Sequence, residues 1–301
     1  MSHQVGRAAT ISAFEFMERF PDEAASRHHL ERLRWAVHRD CPHCGAIDQS
    51  APDKRRPGFY RCRGCRRYFT VRSGTIFERS HIPLRKWLFA IYLLQTNRKG
   101  ISSLQLSKEI GVQQKSAWFL LHRLREACDI RAVRLDGIVE VDETYIGGKE
   151  RNKRERKRRR MGRGTAGKQA VIGMRERGGR THAESIAGTD QATLRTAIGR
   201  TVEPGATVYT DEHPSYRRIA GNYHHRAVSH SVKQFVDGMA HINGIEGFWG
   251  YAKSCLSKFR GMSKCTFYLH LKECEFRFNH RHDEVYEILL ESFREKPIKL
   301  S

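Results

Sequence analysis

The segment IVEVDETYI (138–146) decides the fold of this protein, because β-branched and aromatic residues surround one aspartate, Asp142. Such residues favour a strand over a helix. An acid inside an otherwise apolar strand is costly to bury unless it is paired or binds a metal ion. The segment therefore predicts a strand that carries a functional carboxylate.

The segments that follow predict an α/β core. A helix over 189–200, with Thr189 or Asp190 as its N-cap, separates the last strand from the others. From Asn243 onward the sequence is mostly helical. Strands, a crossover helix, one more strand and then helices are typical of an α/β architecture. The further predicted strands are QAVIGMRE (169–176), THAESIAG (181–188) and ATVYTD (206–211).

Two further acids lie where they can join Asp142. Asp211 ends a predicted strand in VYTDEHPSY, and Glu246 opens a helix in HINGIEGFWGYAK. Acids at strand ends that converge with one from a helix form the oxygen-rich site that hard cations need. Two such ions about 4 Å apart support in-line displacement at phosphorus. Lys253 shares a helix face with Glu246, two turns away, and is expected to reach toward a DNA phosphate.

Other acids nearby leave the ligand set open. Taken singly, each acid is ordinarily a surface carboxylate. Three acids in these contexts, on a chain with a formal net charge of +22, favour a metal site. The neighbours that could substitute for one of the three are Glu140, Glu143 and Glu212.

The charge of the chain indicates a polyanionic partner. Its 301 residues carry a formal net charge of +22, with 39% hydrophobic and 10% aromatic residues. A basic excess of this size most often means nucleic acid and less often an acidic membrane. The longest apolar run, Trp87 to Leu94, is too short to cross a bilayer, and MSHQVGRAAT at the start lacks an apolar signal core. We expect a cytoplasmic, nucleoid-associated protein that binds double-stranded DNA and no membrane.

Two CxxC motifs predict one structural Zn²⁺. Paired motifs at this spacing bring four thiolates to one tetrahedral site. Gly45 and Gly64 are expected to ease the two tight turns. The alternative is a set of buried or redox-active thiols, although a redox pair needs only one CxxC. The expected ligands are Cys41, Cys44, Cys62 and Cys65.

Helical periodicity marks 11–37 and the stretch from Pro83 to Cys128. Within the second, LSKEIGVQQKSAWFLLHRLREA (106–127) has a helix, a Gly-Val turn and another amphipathic helix. That spacing is typical of a helix-turn-helix that reads DNA, and the alternative is an ordinary αα-hairpin. The residues that would open the recognition helix and contact DNA are Gln113, Gln114 and Lys115.

The tract KERNKRERKRRRMGR (149–163) contains ten Lys or Arg residues and two Glu. A run of like charge is usually a solvated loop. Because it follows the strand that carries Asp142, its charge would lie close to a scissile phosphate. A nuclear-localisation signal is the alternative. The residues expected to bind DNA are Arg156, Lys157, Arg158, Arg159 and Arg160.

Together these motifs resemble the DDE transposases of bacterial insertion sequences, in the group with an N-terminal zinc ribbon. The resemblance covers nearly the whole chain and includes CPHCG…CRGC, VEVDETYIGG, the TD…Y segment, and HINGIEGFWGYAK followed by FRFNHR. It implies an RNase H-like catalytic domain with a two-ion Mg²⁺ (or Mn²⁺) site at Asp142, Asp211 and Glu246. Lys253 matches the basic residue that commonly follows the acid in this family. Transposon ends and target DNA are the implied partners, bound by a homodimer or higher oligomer when synapsed.

The expected fold class is α+β and multidomain. The function that follows is cleavage at transposon ends and 3′-end strand transfer into target DNA. A non-catalytic DNA-binding regulator and a plain nuclease of the same fold are the alternatives. The expected domains are 1–80, an N-terminal helix and Cys₄ zinc ribbon; 81–135, a helix-turn-helix DNA-binding region; 136–285, an RNase H-like DDE catalytic domain with the basic insertion 149–163; and 286–301, a C-terminal tail.

Overall fold

The computed structural model describes residues 11–129, 133–148, 155, 165, 167–216, 219, 221–228, 241–259 and 262–295. The chain divides into two compact units, Met1–Cys128 with His282–Ser301, and Asp129–Arg281. Among the described helices, none has the length and apolar character needed to cross a bilayer.

Along the chain, two helices precede a three-stranded segment, three helices follow it, and the remaining strands then lead into the C-terminal helices. The helices are α1 (Ala13–Arg19), α2 (Glu23–Arg34), α3 (Leu84–Thr96), α4 (Ser103–Ile110), α5 (Gln114–Ala127), α6 (Gln191–Thr201), α7 (Asn243–Leu256), α8 (Lys264–Asn279) and α9 (Val285–Glu295). The strands are β1 (Ser50–Pro52), β2 (Tyr60–Cys62), β3 (Tyr68–Phe69), β4 (Ile138–Ile146), β5 (Gln169–Glu176), β6 (Thr181–Ile186), β7 (Thr207–Asp211) and β8 (His224–Val228).

The first unit opens with two helices where the sequence predicts one continuous helical segment over 11–37. Proline disfavours helical backbone at the residue before it, so Pro21 separates α1 from α2. Asp22 then begins α2, because its carboxylate accepts a hydrogen bond from the Ala25 amide at 2.7 Å. Glu23 in turn accepts from the Leu84 amide at 2.7 Å and caps α3, whose own N-cap is a proline.

The zinc-ribbon segment is a small antiparallel sheet in the order β1-β2-β3. Its core is slight, formed by Tyr60, Phe69 and two of the cysteines. Trp35, just after α2, packs edge-on against Tyr60 and Phe69, with ring centroids 5.1 and 5.9 Å away. So few apolar side chains cannot stabilise a sheet of this size alone.

The predicted helix pair over 106–127 is present as α4 and α5. Ser102 caps α4 by accepting a hydrogen bond from the Gln105 amide at 3.1 Å. Gly111 ends α4 in the left-handed conformation, with φ 61°, which an L-residue with a side chain adopts only with strain. The helix α9 contacts α2, α3 and α5 and therefore belongs to this unit.

The second unit is built on a five-stranded mixed sheet in the order β6-β5-β4-β7-β8. β4, β5 and β6 pair antiparallel, and β7 and β8 continue from β4 in parallel. The helix α6 makes the crossover from β6 to β7. The predicted α+β class and the α/β core with a helical C-terminus are confirmed. The edge strand β8 is not predicted, because HHRAV is polar and mostly exposed.

Each face of this sheet carries its own apolar cluster. On one face, Val139 and Val141 of β4 pack with Leu194 and Ile198 of α6. On the other face, Ile245, Phe248 and Trp249 of α7 pack with β5 and α8. Since successive residues of a strand point to opposite faces, even-numbered residues of β4 face α7.

Candidate functional site

The four cysteines of the two CxxC motifs lie together in the ribbon. The Sγ atoms of Cys41 and Cys65 are 3.7 Å apart, as are those of Cys44 and Cys62. All four sulfur atoms lie within 4.8 Å of one another. Thiolates about 2.3 Å from one tetrahedral Zn²⁺ have sulfur atoms about 3.8 Å apart. The cysteines are free of disulfides, so the cluster has the arrangement of a structural zinc ribbon, as the spacing predicts.

In each CxxC motif, the residue after the second cysteine has a positive φ. Gly45 (φ 73°) follows Cys44, and Arg66 (φ 62°) follows Cys65 at the corresponding position. Gly64 is not among the residues of positive φ, and a Cβ atom there would make only ordinary contacts of 3.7 Å or more, so this turn does not require the predicted glycine. A hydrogen bond from a backbone amide in the second CxxC motif lowers the pKa of the Cys62 thiol, whereas burial raises the pKa of the Cys41 thiol. A bound Zn²⁺ would hold both as thiolates.

Asp142 and Asp211 lie on neighbouring strands and on one face of the larger sheet. β4 and β7 pair in parallel, with Glu140 opposite Tyr209. Continuing this register by two residues sets Asp142 beside Asp211. Residues two apart on a strand share a face, and Tyr209 belongs to the cluster beneath α7. Both aspartates therefore face the side of the sheet that α7 covers.

α7 lies close to this part of the sheet because a glycine lies beneath it. Gly173 of β5 pairs with Asp142 across the ladder. A Cβ atom at Gly173 would lie 2.5 Å from Cζ2 of Trp249 and 2.8 Å from Cδ1 of Ile245. Both of these α7 residues are buried, so a larger residue at position 173 would displace the helix. The glycine thus permits Glu246, next to Ile245, to approach the aspartates.

The negative charges of these acids act on Asp142. Burial raises the pKa of Asp142 most, and the charges of Glu143, Asp211 and Glu246 add to it, giving a pKa of about 7. Among the described residues, only the four cysteines bring three or more ligating atoms within 4.8 Å of one another. The acids are therefore near enough to interact electrostatically but not close enough to form such a group. A bound cation would favour their charged forms.

Asp211, and not its neighbour Glu212, ends the strand that lies beside the strand of Asp142. Asp211 ends β7, where its carboxylate accepts a hydrogen bond from the His213 amide at 3.0 Å. Glu212 follows the strand and is exposed. The charge of Asp211 contributes to the raised pKa values of Asp142 and Tyr216.

Glu143 is engaged on the opposite face of the sheet. Its carboxylate accepts a hydrogen bond from the hydroxyl of Tyr216, which is buried in the cluster on the α6 side. Burial, and then the charge of Glu143, raises the pKa of Tyr216, so the hydroxyl keeps its proton and donates. This tyrosine ends the TD…Y segment, and its bond ties that segment to β4. The engagement of Glu143 disfavours it as a substitute for Asp142.

Glu140 has a positioning role that the sequence reasoning missed. Its carboxylate accepts hydrogen bonds from Nε of Arg177 at 3.1 Å and from the Ile245 amide at 3.0 Å. It is only 1% exposed. Because Ile245 lies in the first turn of α7, Glu140 caps that helix from β4 and holds Glu246 over the sheet. Only the tertiary contact identifies this role.

Replacing Glu140 by alanine should lower the free energy of unfolding of the second unit by about 3–5 kcal/mol, since it leaves a charge without its buried partner. The side chains of Glu140 and Arg177 are 2% and 19% exposed. The control is Glu184→Ala, whose partner Arg200 is 63% exposed, and there the reduction should be about 1 kcal/mol or less. Urea unfolding measures both. Equal reductions in the two variants would refute the capping role.

The predicted DNA-contacting residues fall in three places. Gln113, Gln114 and Lys115 are exposed at the start of α5. Lys253 is exposed near the end of α7, two turns after Glu246. Five of the predicted residues lie outside the described part of the chain: Arg156, Lys157, Arg158, Arg159 and Arg160.

Two family models match parts of the chain. An ISXO2-like transposase domain matches residues 134–279. A transposase zinc-ribbon domain matches residues 21–68. The structure also aligns with a chain of the simian T-cell lymphotropic virus intasome bound to a PP2A regulatory subunit, over 67% of this chain and 73% of that one. The identity there is 12% and the TM-score 0.32, too low to establish a shared fold.

Two relatives extend the family match. An uncharacterized protein in transposable element ISH50 of Halobacterium salinarum is 30% identical over 86% of this chain and 91% of its own length. An uncharacterized transposase-like protein of Haemophilus influenzae is 41% identical over 31% of this chain and 76% of its own. Since the first similarity covers 86% of this chain, it extends into both matched domains. The chain therefore belongs to the ISXO2-like transposase family.

Proposed function

We propose that this transposase binds transposon ends and catalyses metal-dependent DNA cleavage and 3′-end strand transfer into target DNA. The proposal rests on Asp142 and Asp211, which share the face of the sheet that α7 covers, and on Glu246 at the start of α7, whose charge acts on Asp142. A regulator that only binds DNA has no need of three acids gathered in this way. The raised pKa of Asp142 is typical of a site built for function more than for stability.

The residues at this site fit a hard divalent cation. All three candidate ligands are carboxylates, the donors that Mg²⁺ and Mn²⁺ prefer. Burial and then the charges of neighbouring acids raise the pKa of Asp142, and positive charge bound there would favour its ionised form. A two-ion site would draw on Asp142, Asp211 and Glu246 together. Bound there, the ions would activate the attacking oxygen and stabilise the leaving one.

The protein's own residues have separate tasks in this proposal. Gly173 leaves room for α7 to pack closely on the sheet, and Glu140 holds the first turn of α7 next to Glu246. Tyr216 holds β4 to the segment after Asp211 through its bond to Glu143. Lys253, two turns from Glu246 and exposed, would contact a DNA phosphate and align the strand with the acids.

DNA recognition is assigned to α5 and to the basic tract. The exposed side chains of Gln113, Gln114 and Lys115 at the start of a recognition helix can meet base edges or phosphates. The cationic residues of 149–163 would bind the backbone without reading sequence.

The two proposed modes of DNA binding should separate in mutants. Gln114→Ala should reduce binding to the transposon end more than binding to random duplex, because base contacts specify sequence. Replacing Arg156, Lys157, Arg158, Arg159 and Arg160 by glutamine should weaken binding to both, and flatten the salt dependence by about 0.9 for each phosphate that is no longer neutralised. Fluorescence anisotropy at several salt concentrations measures both effects. A sequence-selective reduction in the five-residue variant would contradict the assignment.

A joining assay tests the proposed reaction. Labelled duplexes from the DNA that flanks the gene are incubated with the protein and a supercoiled target plasmid, in Mg²⁺ or in EDTA. We expect cleaved ends and covalent joint products in Mg²⁺ only. Cleavage without joint products would indicate a plain nuclease, and binding without cleavage would indicate a regulator.

A further inference from the structure

A basic cavity of about 650 Å³ lies in the first unit, and neither the ribbon cysteines nor the candidate carboxylates line it. It is within the volume range of ligand-binding pockets. The walls come from the end of α1, from α2 and from the segment that enters the ribbon. The charged or titratable residues that line it are Arg19, His28, His29, Glu31, Arg32 and Arg39.

His29 lies at the wall of this cavity with an unused polar atom. The side chain is only 7% exposed, and its ring packs edge-on against Phe20 with centroids 5.0 Å apart. Its Nε2 atom has no hydrogen-bond partner among the described residues. A buried polar group left in this way costs about 1–3 kcal/mol. The atom has less than 1 Å² of accessible surface, so a ligand in the cavity would satisfy it once the ring turns toward the space that His29 lines.

Three arginines line the cavity around His29, and of these Arg19 pairs with Glu287 at 3.8 Å. Arg32 is exposed and makes no ion pair within the described ranges. The guanidinium of Arg39 lies 4.0 Å from the ring centroid of Tyr60, and its Nε is buried without a hydrogen bond to any described residue. The one acid of the wall, Glu31, already pairs with a neighbouring arginine, Arg27, at 3.7 Å.

The pKa of His29 is affected by the same positive charges. Burial, and then the positive charges of Arg19 and Arg32, lower the pKa of His29 to about 4. The imidazole is therefore neutral at physiological pH, and one of its nitrogens carries a hydrogen that can be donated. An anion in the cavity would be attracted by the arginines and could accept that hydrogen bond.

We propose that this cavity binds a phosphate group, with Arg32 and Arg39 supplying the charge and Nε2 of His29 donating a hydrogen bond. Arginine and a directed N–H donor are the groups that recognise phosphate oxygens most effectively. The phosphate can belong to the DNA backbone or be free in solution. The inference stands on the first unit and does not depend on metal chemistry in the second.

The test follows His29 directly. Inorganic phosphate is titrated into the full-length, zinc-loaded protein with ¹³C-labelled histidine, and the His29 resonance is identified by its absence in His29→Phe. We expect a saturable shift, and Arg32→Gln should weaken phosphate binding by about tenfold or more. The control is Arg63→Gln, an exposed ribbon arginine outside the cavity, which should leave the affinity unchanged.

A second variant guards against a purely structural effect. His29→Phe keeps the ring packing on Phe20 and removes both nitrogens, so the free protein should stay folded with full zinc. It should not show the rise in melting temperature that phosphate gives the parent protein. No saturable shift in the parent, or an equally weakened affinity in Arg63→Gln, would overturn the proposal.

Duplex DNA distinguishes the two sources of phosphate. If the cavity holds a backbone phosphate, Arg32→Gln should reduce the slope of log affinity against log salt by about 0.9. If the slope is unchanged while inorganic phosphate binds more weakly, the cavity takes free phosphate. These experiments require no cleavage, so their failure is distinct from failure of the proposed reaction.

Discussion

Asp142→Asn should reduce DNA cleavage and joining by several orders of magnitude, with DNA binding near the parental level. Asparagine has almost the same size as aspartate, but it lacks the negative charge on which Mg²⁺ binding depends. Both chemical steps rest on the same ions, so they should fall together. The measurement is a gel-shift and a cleavage assay on the variant and the parent, each with Mg²⁺ and with EDTA.

The neighbouring acids at positions 211 and 212 provide a matched comparison. Asp211→Asn should behave like Asp142→Asn, since its charge acts on Asp142. Glu212→Gln changes an exposed acid just beyond β7 and should retain cleavage. If Asp142→Asn cuts at the parental rate, the two-metal proposal is wrong and a DNA-binding regulator becomes the better explanation. If only Glu212→Gln is inactive, the ligand is the other acid.

Much of the second unit could be predicted because its strands have strong local signals. β4 and β5 have the predicted bounds, 138–146 and 169–176. Both are apolar runs that contain β-branched residues, and this composition requires no knowledge of the partners. By contrast, β8 becomes a strand through its pairing with β7. Its sequence, HHRAV, has no apolar face that would indicate a strand.

The start of the chain is harder to predict for a different reason. Helical periodicity continues across 11–37, although Pro21 and Asp22 begin a new helix within it. A proline signal competes there with an apolar stripe, and the backbone restriction prevails. In the ribbon, Arg66 takes a positive φ without being glycine. Such a residue gives no compositional signal at all.

The acids of the candidate site show where prediction from the sequence ends. Strand position and local context single out Asp142, Asp211 and Glu246 as candidates. The same context does not distinguish a ligand from a support, so Glu140 and Glu143 stay as substitutes. Their tasks depend on Arg177, the α7 amide and Tyr216, which are distant in sequence. Long-range partners of this kind are visible only once the sheet and helices are assembled.

Cys62→Ser should remove the zinc from the protein and unfold the ribbon. A serine hydroxyl does not replace a thiolate as a zinc ligand, and three sulfur ligands bind far more weakly than four. The purified parent protein should contain about one zinc per chain. Plasma mass spectrometry measures the zinc content of each protein. Cys265→Ser, at an exposed cysteine outside the cluster, should keep its zinc and serves as the control.

The effect of Cys62→Ser should be large because the metal replaces an apolar core. The buried ribbon cluster includes Tyr60 and Phe69, with Trp35 packed against it. In such small domains the free energy of zinc binding is the free energy of folding, about 10–16 kcal/mol in isolated fingers. The second unit has its own apolar clusters on both faces of its sheet, so it should remain folded. Full zinc content in Cys62→Ser would contradict the ribbon assignment, whereas release of zinc with unfolding of the second unit would contradict the independence of the two units.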